Sequence, residues 1–415
     1  MQLIPLLSKA LVLSFGLFQA VQSVPTYPFS DSNSFVGLKA GRAIYFQTNE
    51  HTNSIVALKI LENGTLVEGT ITATGGLGAS SISSATNITA SPDGLSSQGS
   101  VTVAGTTLFA VNAGDNTVSM FSIDEVEPTN LKLLGGPSKV PGEFPVTVAA
   151  STLNRLVCVG TSGKKAGVSC APYSPYVGIG ELDFLRPFDL DQSTPPVGPL
   201  NTVSQTYFSA DESLLITSVK GDSAINKTGF VSVYSVVGPS LLSQSRLSAG
   251  EIRSVVNGTG ALFGLQQIPE SDNYFIADAS FGAAIISVNE MTQASEILFK
   301  QDVPQQMATC WVAISSSSNS AFVTDPLVNH IVEMSLADAS IVSVINTTSS
   351  NDATGYIDIA AAGDYVYALS PGSKSGSGAE IGVLSVSDSQ NKSIIQSLNV
   401  NNWAGSSAQG LAIYP

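Results

Sequence analysis

The sequence predicts an all-β chain folded as a seven-bladed β-propeller with four-stranded blades. Three observations carry that reading: a hairpin pattern that recurs seven times, a short segment rich in small apolar residues ahead of the later hairpins, and two chain ends that each supply part of one blade. In the clearest copy, the apolar run Leu108–Asn112 is followed by the turn Ala113-Gly-Asp-Asn116 and the alternating run Thr117–Ile123. Alternation with period two is the signature of a strand, and clustered Asn, Asp and Gly mark a tight turn. The run Ile44–Asn49 followed by Asn53–Ile60 matches it in register, asparagine for asparagine. Looser copies place their second strands near Val168, Val231, Ile285, Ile331 and Ile381, about 45 to 65 residues apart, the spacing of propeller blades.

The segments ahead of the hairpins are Pro145–Ala150, Tyr207–Ser209, Phe263–Ile268, Cys310–Ile314 and Tyr356–Ala361. Their small residues suit an innermost strand, where seven strands converge on a central channel and bulky side chains would collide. Polar, sequon-bearing stretches such as Glu62–Val67 follow the hairpins and are expected to form outer strands. The first hairpin has no apolar segment upstream, because residues 24–39 are Pro- and Ser-rich, whereas Gln409–Tyr414 is an inner-strand pattern with no hairpin after it. Pairing the last strand with the first hairpin completes one blade and closes the ring, removing the exposed edges of an open array. Two β-sandwich domains would not explain that complementarity.

Residues 1–23 read as a secretory signal peptide, with Lys9 ahead of the apolar run Ala10–Val21 and small residues up to Ser23. The run is shorter than the roughly 20 residues of a membrane span. A single domain is expected over 24–415, secreted and extracellular or cell-wall associated. Asn63, Asn87, Asn226, Asn257, Asn346 and Asn391 lie in Asn-x-Ser/Thr sequons and are expected glycosylation sites. Only 12% of residues are charged, with 32 acidic against 17 basic and a formal charge of −15. That balance argues against nucleic acid or an anionic membrane as partner. A small-molecule or extracellular-matrix or cell-wall ligand, a monomeric state and no cofactor are expected.

Of three cysteines, Cys158 and Cys170 flank the turn Thr161–Gly167 on the two strands of the third hairpin, where a cross-strand disulfide is expected. Cys310 sits before Trp311 in an apolar strand and reads as a buried thiol. The stretch Tyr173–Asp191 is longer and more aromatic than its counterparts. It either caps the channel or packs over blades 3 and 4. Glu181, Asp183, Asp189 and Asp191 within it do not have the spacing of a calcium loop, so no metal is expected.

Four segments, Asn112–Asp124, Leu215–Gly221, Phe275–Ala284 and Cys310–Ser315, resemble the lactonase-like seven-bladed propellers, and most closely secreted fungal proteins described as 3-carboxymuconate cyclase-like. The Val-Lys-Gly, Asp-Ala-Ser-Phe-Gly and Cys-Trp segments, in that order, are the specific part. The resemblance implies the seven-bladed ring and an ancestral link to enzymes that open or close lactones. It also implies a channel-mouth set of His, Arg and Glu in muconate-lactonising members. This chain offers only His51 and His330, and the register places neither toward the channel.

Positions ending the second strand of each blade are expected to face the channel mouth. Here they are Asn49, Asn112, Gly160, Lys220, Asp278, Asp325 and Ser370. Lys220 can hold a carboxylate or polarise a lactone carbonyl, and Asp278 or Asp325 can act as general base if burial raises its pKa. The alternative is that Lys220 pairs with one of these aspartates while Asn49 and Asn112 cap turns. No Gly-x-Ser-x-Gly elbow or phosphate loop is present. Two functions follow: a binding or adhesion glycoprotein with a degenerate active site, or an extracellular lactonase or cycloisomerase using Lys220 with Asp278 or Asp325.

Overall fold

The computed structural model describes residues 41–240, 243–289, 291–347, 355–372, 378–388 and 391–415. The leader expected over 1–23 and the Pro- and Ser-rich stretch after it lie outside the described residues. Among the described residues, seven antiparallel sheets of four or five strands follow one another, each blade running from an inner to an outer strand. In blade 1 the order is Gln409–Tyr414, Ala43–Gln47, Ser54–Ile60, Leu66–Ala73, so the last strand of the chain is the inner neighbour of the first. Blade 2 begins with the inner strand Val101–Ala104, and blades 3 to 7 begin at Pro145, Val203, Leu262, Trp311 and Ile359.

Burial grades outward along each blade. The second strands, such as Thr107–Asn112 and Ser320–Asp325, are buried on both faces because a blade has a neighbour on each side. They read as near-continuous apolar runs for that reason. Outer strands are largely uncovered: Ser393–Asn399 alternates between partly covered and exposed residues, as a half-covered strand should, and Leu66–Ala73 buries only its first residue. The interfaces between blades hold the core. Edge-to-face aromatic pairs bridge neighbours: Phe109 with Tyr173 and Phe263 with Trp311 at 5.0 Å between ring centroids, each contributing about 0.5–1.5 kcal/mol beyond area burial. Cys158 and Cys170 lie directly opposite on adjacent strands, with Cα atoms 4.1 Å apart, and form a disulfide.

Two departures from the repeat matter more than the repeat itself. The stretch 173–191 does not cap the channel. Gly178–Ile179 and Arg186–Pro187 add edge strands to blade 3, and buried Arg186 pairs with Asp183 while donating to the Ser248 and Leu247 carbonyls of blade 4. The channel is filled instead by residues 95–100, from the long connection between blades 1 and 2. Gln98 makes a two-way bridge to the Val312 backbone (2.8 and 3.1 Å) and donates its own N–H to Ser204. Ser97 donates to the Val146 carbonyl, Trp311 donates to Ser97, and Val148 and Val111 donate to the Gly99 and Ser100 carbonyls. One short strap therefore ties down four blades and supplies hydrogen bonds that inner-strand backbone would otherwise lack. Gly264 in blade 5 faces the same strap: a Cβ there would fall 1.8 Å from Gln98 Oε1, so only glycine fits.

Candidate active site

The connection that plugs the channel also builds a pocket above the plug. Its short strand Ile82–Ser83 pairs in parallel with Val197–Gly198, holding residues 83–96 against the mouth of blades 4, 5 and 6. The pocket, open to solvent on one side, has a volume of about 280 Å³. Lys220, Asp93, Ser96, Phe263 and Cys310 form its buried end, and Leu200, Pro326 and Leu327 belong to its lip.

Lys220 follows the strand Leu214–Val219, and its backbone N–H donates to the Thr202 carbonyl. Its side chain is 1% exposed. Nζ donates to the Ser96 carbonyl at 2.7 Å and to Ser204 Oγ at 2.8 Å, and lies 4.4 Å from the centre of the Phe263 ring. Phe263 is itself braced by Trp311. The ammonium is thus held by two oxygens and an aromatic face rather than by Asp278 or Asp325.

Asp93 sits in the left-handed backbone region (φ 59°), which Asp tolerates better than most residues. It keeps part of its surface open to the pocket, while its Oδ1 is buried with no hydrogen-bond partner. Burial pushes the Asp93 carboxyl up to about 7, opposed by the charge of Lys220 and the Ser96 and Ser97 backbone. Burial likewise pulls Lys220 down to about 7, opposed by the charge of Asp93. The two titrate together, so those values belong to the pair. Such a pair, displaced toward neutrality in a cleft, marks a functional site.

Of the residues expected at the mouth, only Lys220 reaches this pocket. Asp278 is fully buried and accepts from the backbone of Gly260 (2.8 Å), Ala261 (3.0 Å) and Ser280 (2.9 Å) and from Ser280 Oγ. Asp325 does the same one blade on, accepting from Met307, Ala308 and Leu327. Both carboxylates are spent as loop staples. Asn112 is a staple between blades 1 and 2, accepting from Asn53 Nδ2 and Thr74 Oγ1 and donating to Thr117 and Ser119. Asn49 exchanges hydrogen bonds with the Ala79 backbone and so anchors the start of the plugging connection. Neither asparagine lines the pocket.

Cys310 is buried as expected, but it lines the pocket, and burial together with Asp93 pushes its thiol well above the usual range. It is therefore no thiolate nucleophile. His51 is exposed in its turn, and His330, in the strand Val328–Ser335, is pulled down by burial. Neither lines the pocket. Asp183 and Asp191 are occupied by Arg186 and Lys227. The six sequon asparagines are all exposed.

Sequence reasoning on the repeat missed Asp93 because it lies between blades. The visible signal was the Ser- and Gly-rich connection of residues 74–100 itself, since long loops without regular structure in a compact ring are commonly functional.

No protein-family model and no curated protein sequence matches the chain. Solved structures do. The periplasmic gluconolactonase of Pseudomonas aeruginosa superposes with a TM-score of 0.65 at 14% identity, over 90% of this chain and 99% of that one. A protein of Bacteroides uniformis, provisionally described as a 6-phosphogluconolactonase, gives 0.61 at 14% identity over 89% and 99%. A similarly described protein of Bacteroides fragilis gives 0.59 at 12% over 89% and 97%. At these identities the likeness establishes the fold: the chain is a seven-bladed β-propeller with the architecture of these solved structures.

Proposed function

We propose that the chain is a secreted, N-glycosylated lactone hydrolase whose active site is the pocket at the channel mouth. The observation that carries this reading is the buried Lys220 ammonium sharing an apolar cleft with Asp93, one of whose carboxylate oxygens, Oδ1, is buried without a hydrogen-bond partner. A lactone carbonyl oxygen placed at Lys220 gains a charged donor that strengthens as negative charge develops on that oxygen. Asp93, with its raised pKa, removes a proton from water near neutral pH as the water oxygen attacks the carbonyl carbon. The tetrahedral adduct then expels the ring oxygen, which takes the proton back from Asp93, leaving a hydroxy acid. The lactonase-like fold supports the reaction class. The apolar run at residues 10–21, the disulfide and the exposed sequon asparagines support the extracellular setting.

The test is acid release from a panel of γ- and δ-lactones, followed in a pH-stat with the wild-type chain, Asp93→Asn and Lys220→Met. Turnover lost in both variants, with unchanged far-UV circular dichroism, supports the reading. A folded wild-type protein that hydrolyses none of the panel overturns it and leaves the binding-glycoprotein reading.

A further inference from the structure

The pocket reverses the polarity expected of a site for a polyhydroxylated or phosphorylated substrate. Its one cation sits at the buried end, where Lys220 is 1% exposed and Ser96 beside it is 4% exposed, while Ser83, Thr86, Thr89 and Ser91 put uncharged hydroxyls along one wall. Its open end carries no charge and combines the exposed Thr86 and Thr89 with two leucines. Leu200 and Leu327 line the lip and are 36% and 51% exposed. Lys220 is the sole cation among the residues that line the pocket, and both of its oxygen partners are protein atoms. A phosphate would find no second basic group there. Beyond the hydroxyls of the 83–91 wall, a sugar ring would meet proline, alanine and leucine.

We infer that the substrate is an uncharged lactone bearing an apolar tail, with its carbonyl at Lys220 and its tail running out between Leu200 and Leu327. This rests on the hydrolase reading for the word lactone, but the tail preference does not depend on turnover. Exposed Leu200 and Leu327, continuous with the Pro199, Phe263, Ala279 and Ala308 lining, form an apolar path from the buried end to the lip, a surface that is covered in use. The pocket volume of about 280 Å³ accommodates a small ring and the first part of a chain, and the rim takes the remainder.

The inference is tested by calorimetric titration of the full chain with a series of 2-alkylcyclopentanones, which keep the ring carbonyl and lack a scissile ester. Each methylene that becomes buried is expected to tighten binding about fourfold, until the tail clears the lip. Leu327→Ser and Leu200→Ser, both at exposed positions that do not threaten folding, are expected to flatten the series without abolishing binding of the shortest member. D-Glucono-δ-lactone is expected not to compete. Chain-length-independent binding, or gluconolactone competing as well as the long-tailed ketones, overturns the tail preference while leaving hydrolysis to its own assay. A steep series in a protein that hydrolyses no lactone upholds the apolar-tail site and removes the hydrolase reading.

Discussion

Two sets of carboxylates lie at the channel mouth, and they do opposite things. Asp278 and Asp325 stand at equivalent places in blades 5 and 6, and each is saturated by backbone N–H groups of the loop ahead of its blade. Asp93 belongs to no blade, has a buried oxygen without a partner, and shares a pocket with a buried lysine. A carboxylate that accepts several backbone hydrogen bonds is stabilised as the anion and contributes to folding. One that is desolvated and left short of partners holds its proton more tightly and is available for transfer. The repeat is therefore scaffold, and the irregular connection between blades 1 and 2 carries the chemistry.

The largest effect that separates the two sets is on hydrolysis. Asp93→Asn is expected to lower kcat on a cleaved lactone by about 10²–10⁴-fold, the range of general-base catalysis, and Lys220→Met by about 10²–10³-fold, the range for removing an oxyanion donor. Either variant retaining wild-type turnover would dissolve the distinction. The pH dependence sharpens it. Activity needs Asp93 ionised and Lys220 protonated, and burial moves both toward about 7 from opposite sides. The profile of kcat/KM is thus expected to be a narrow bell with its apex near pH 7, its two limbs reporting the pair rather than either residue. A plateau extending past pH 9 would show that Lys220 is not the donor.

Much of this architecture was legible in the residues because blade packing imposes it on the sequence. A second strand buried on both faces must be apolar throughout, so Leu108–Val111 and Ala321–Val323 announce themselves. The disulfide was legible for a similar reason, since Cys158 and Cys170 fall at matching distances from one turn. Register alone also carried Lys220 to the pocket. It could not tell Lys220 from Asp278 and Asp325, which occupy the same ring position, because the difference lies in which loop N–H groups turn inward. Nor could it place Asp93. A segment outside the repeat has no register to extrapolate from, and its course through the channel depends on hydrogen bonds from Gln98 and Ser97 to blades far away in sequence.

The staple role makes a prediction of the opposite kind for Asp278. Asp278→Ala strips the acceptor from the buried N–H of Ala261 and the partly buried N–H groups of Gly260 and Ser280. It is expected to cost about 3 kcal/mol of stability, read as a lower urea midpoint at unchanged m-value. The folded fraction keeps wild-type kcat. A fall in kcat at full folding would return Asp278 to the catalytic machinery.

The smallest effect concerns Asp358, which belongs to the repeat yet leans on the plug. It lies just before the inner strand of blade 7, accepts from the Ile359 N–H, and is pushed up to about 8 by burial, with the charge of Asp93 adding to the rise. A carboxyl whose pKa is higher folded than unfolded binds its proton more tightly in the native state. Its contribution to stability is complete below the unfolded value near 4 and is lost as pH rises toward 8. Asp93 acts in the same direction. The wild-type melting temperature is therefore expected to fall between pH 5 and pH 8. Asp358→Asn, which keeps the acceptor for Ile359 and cannot ionise, is expected to recover a few degrees at pH 8 and almost none at pH 4. Because the Asp358 charge bears on Asp93, the same variant also tests how separate scaffold and site are. If the acidic limb of the hydrolysis profile stays in place, the two carboxyls titrate independently. If it shifts toward acid, the repeat contributes to the basicity of Asp93 through the plug.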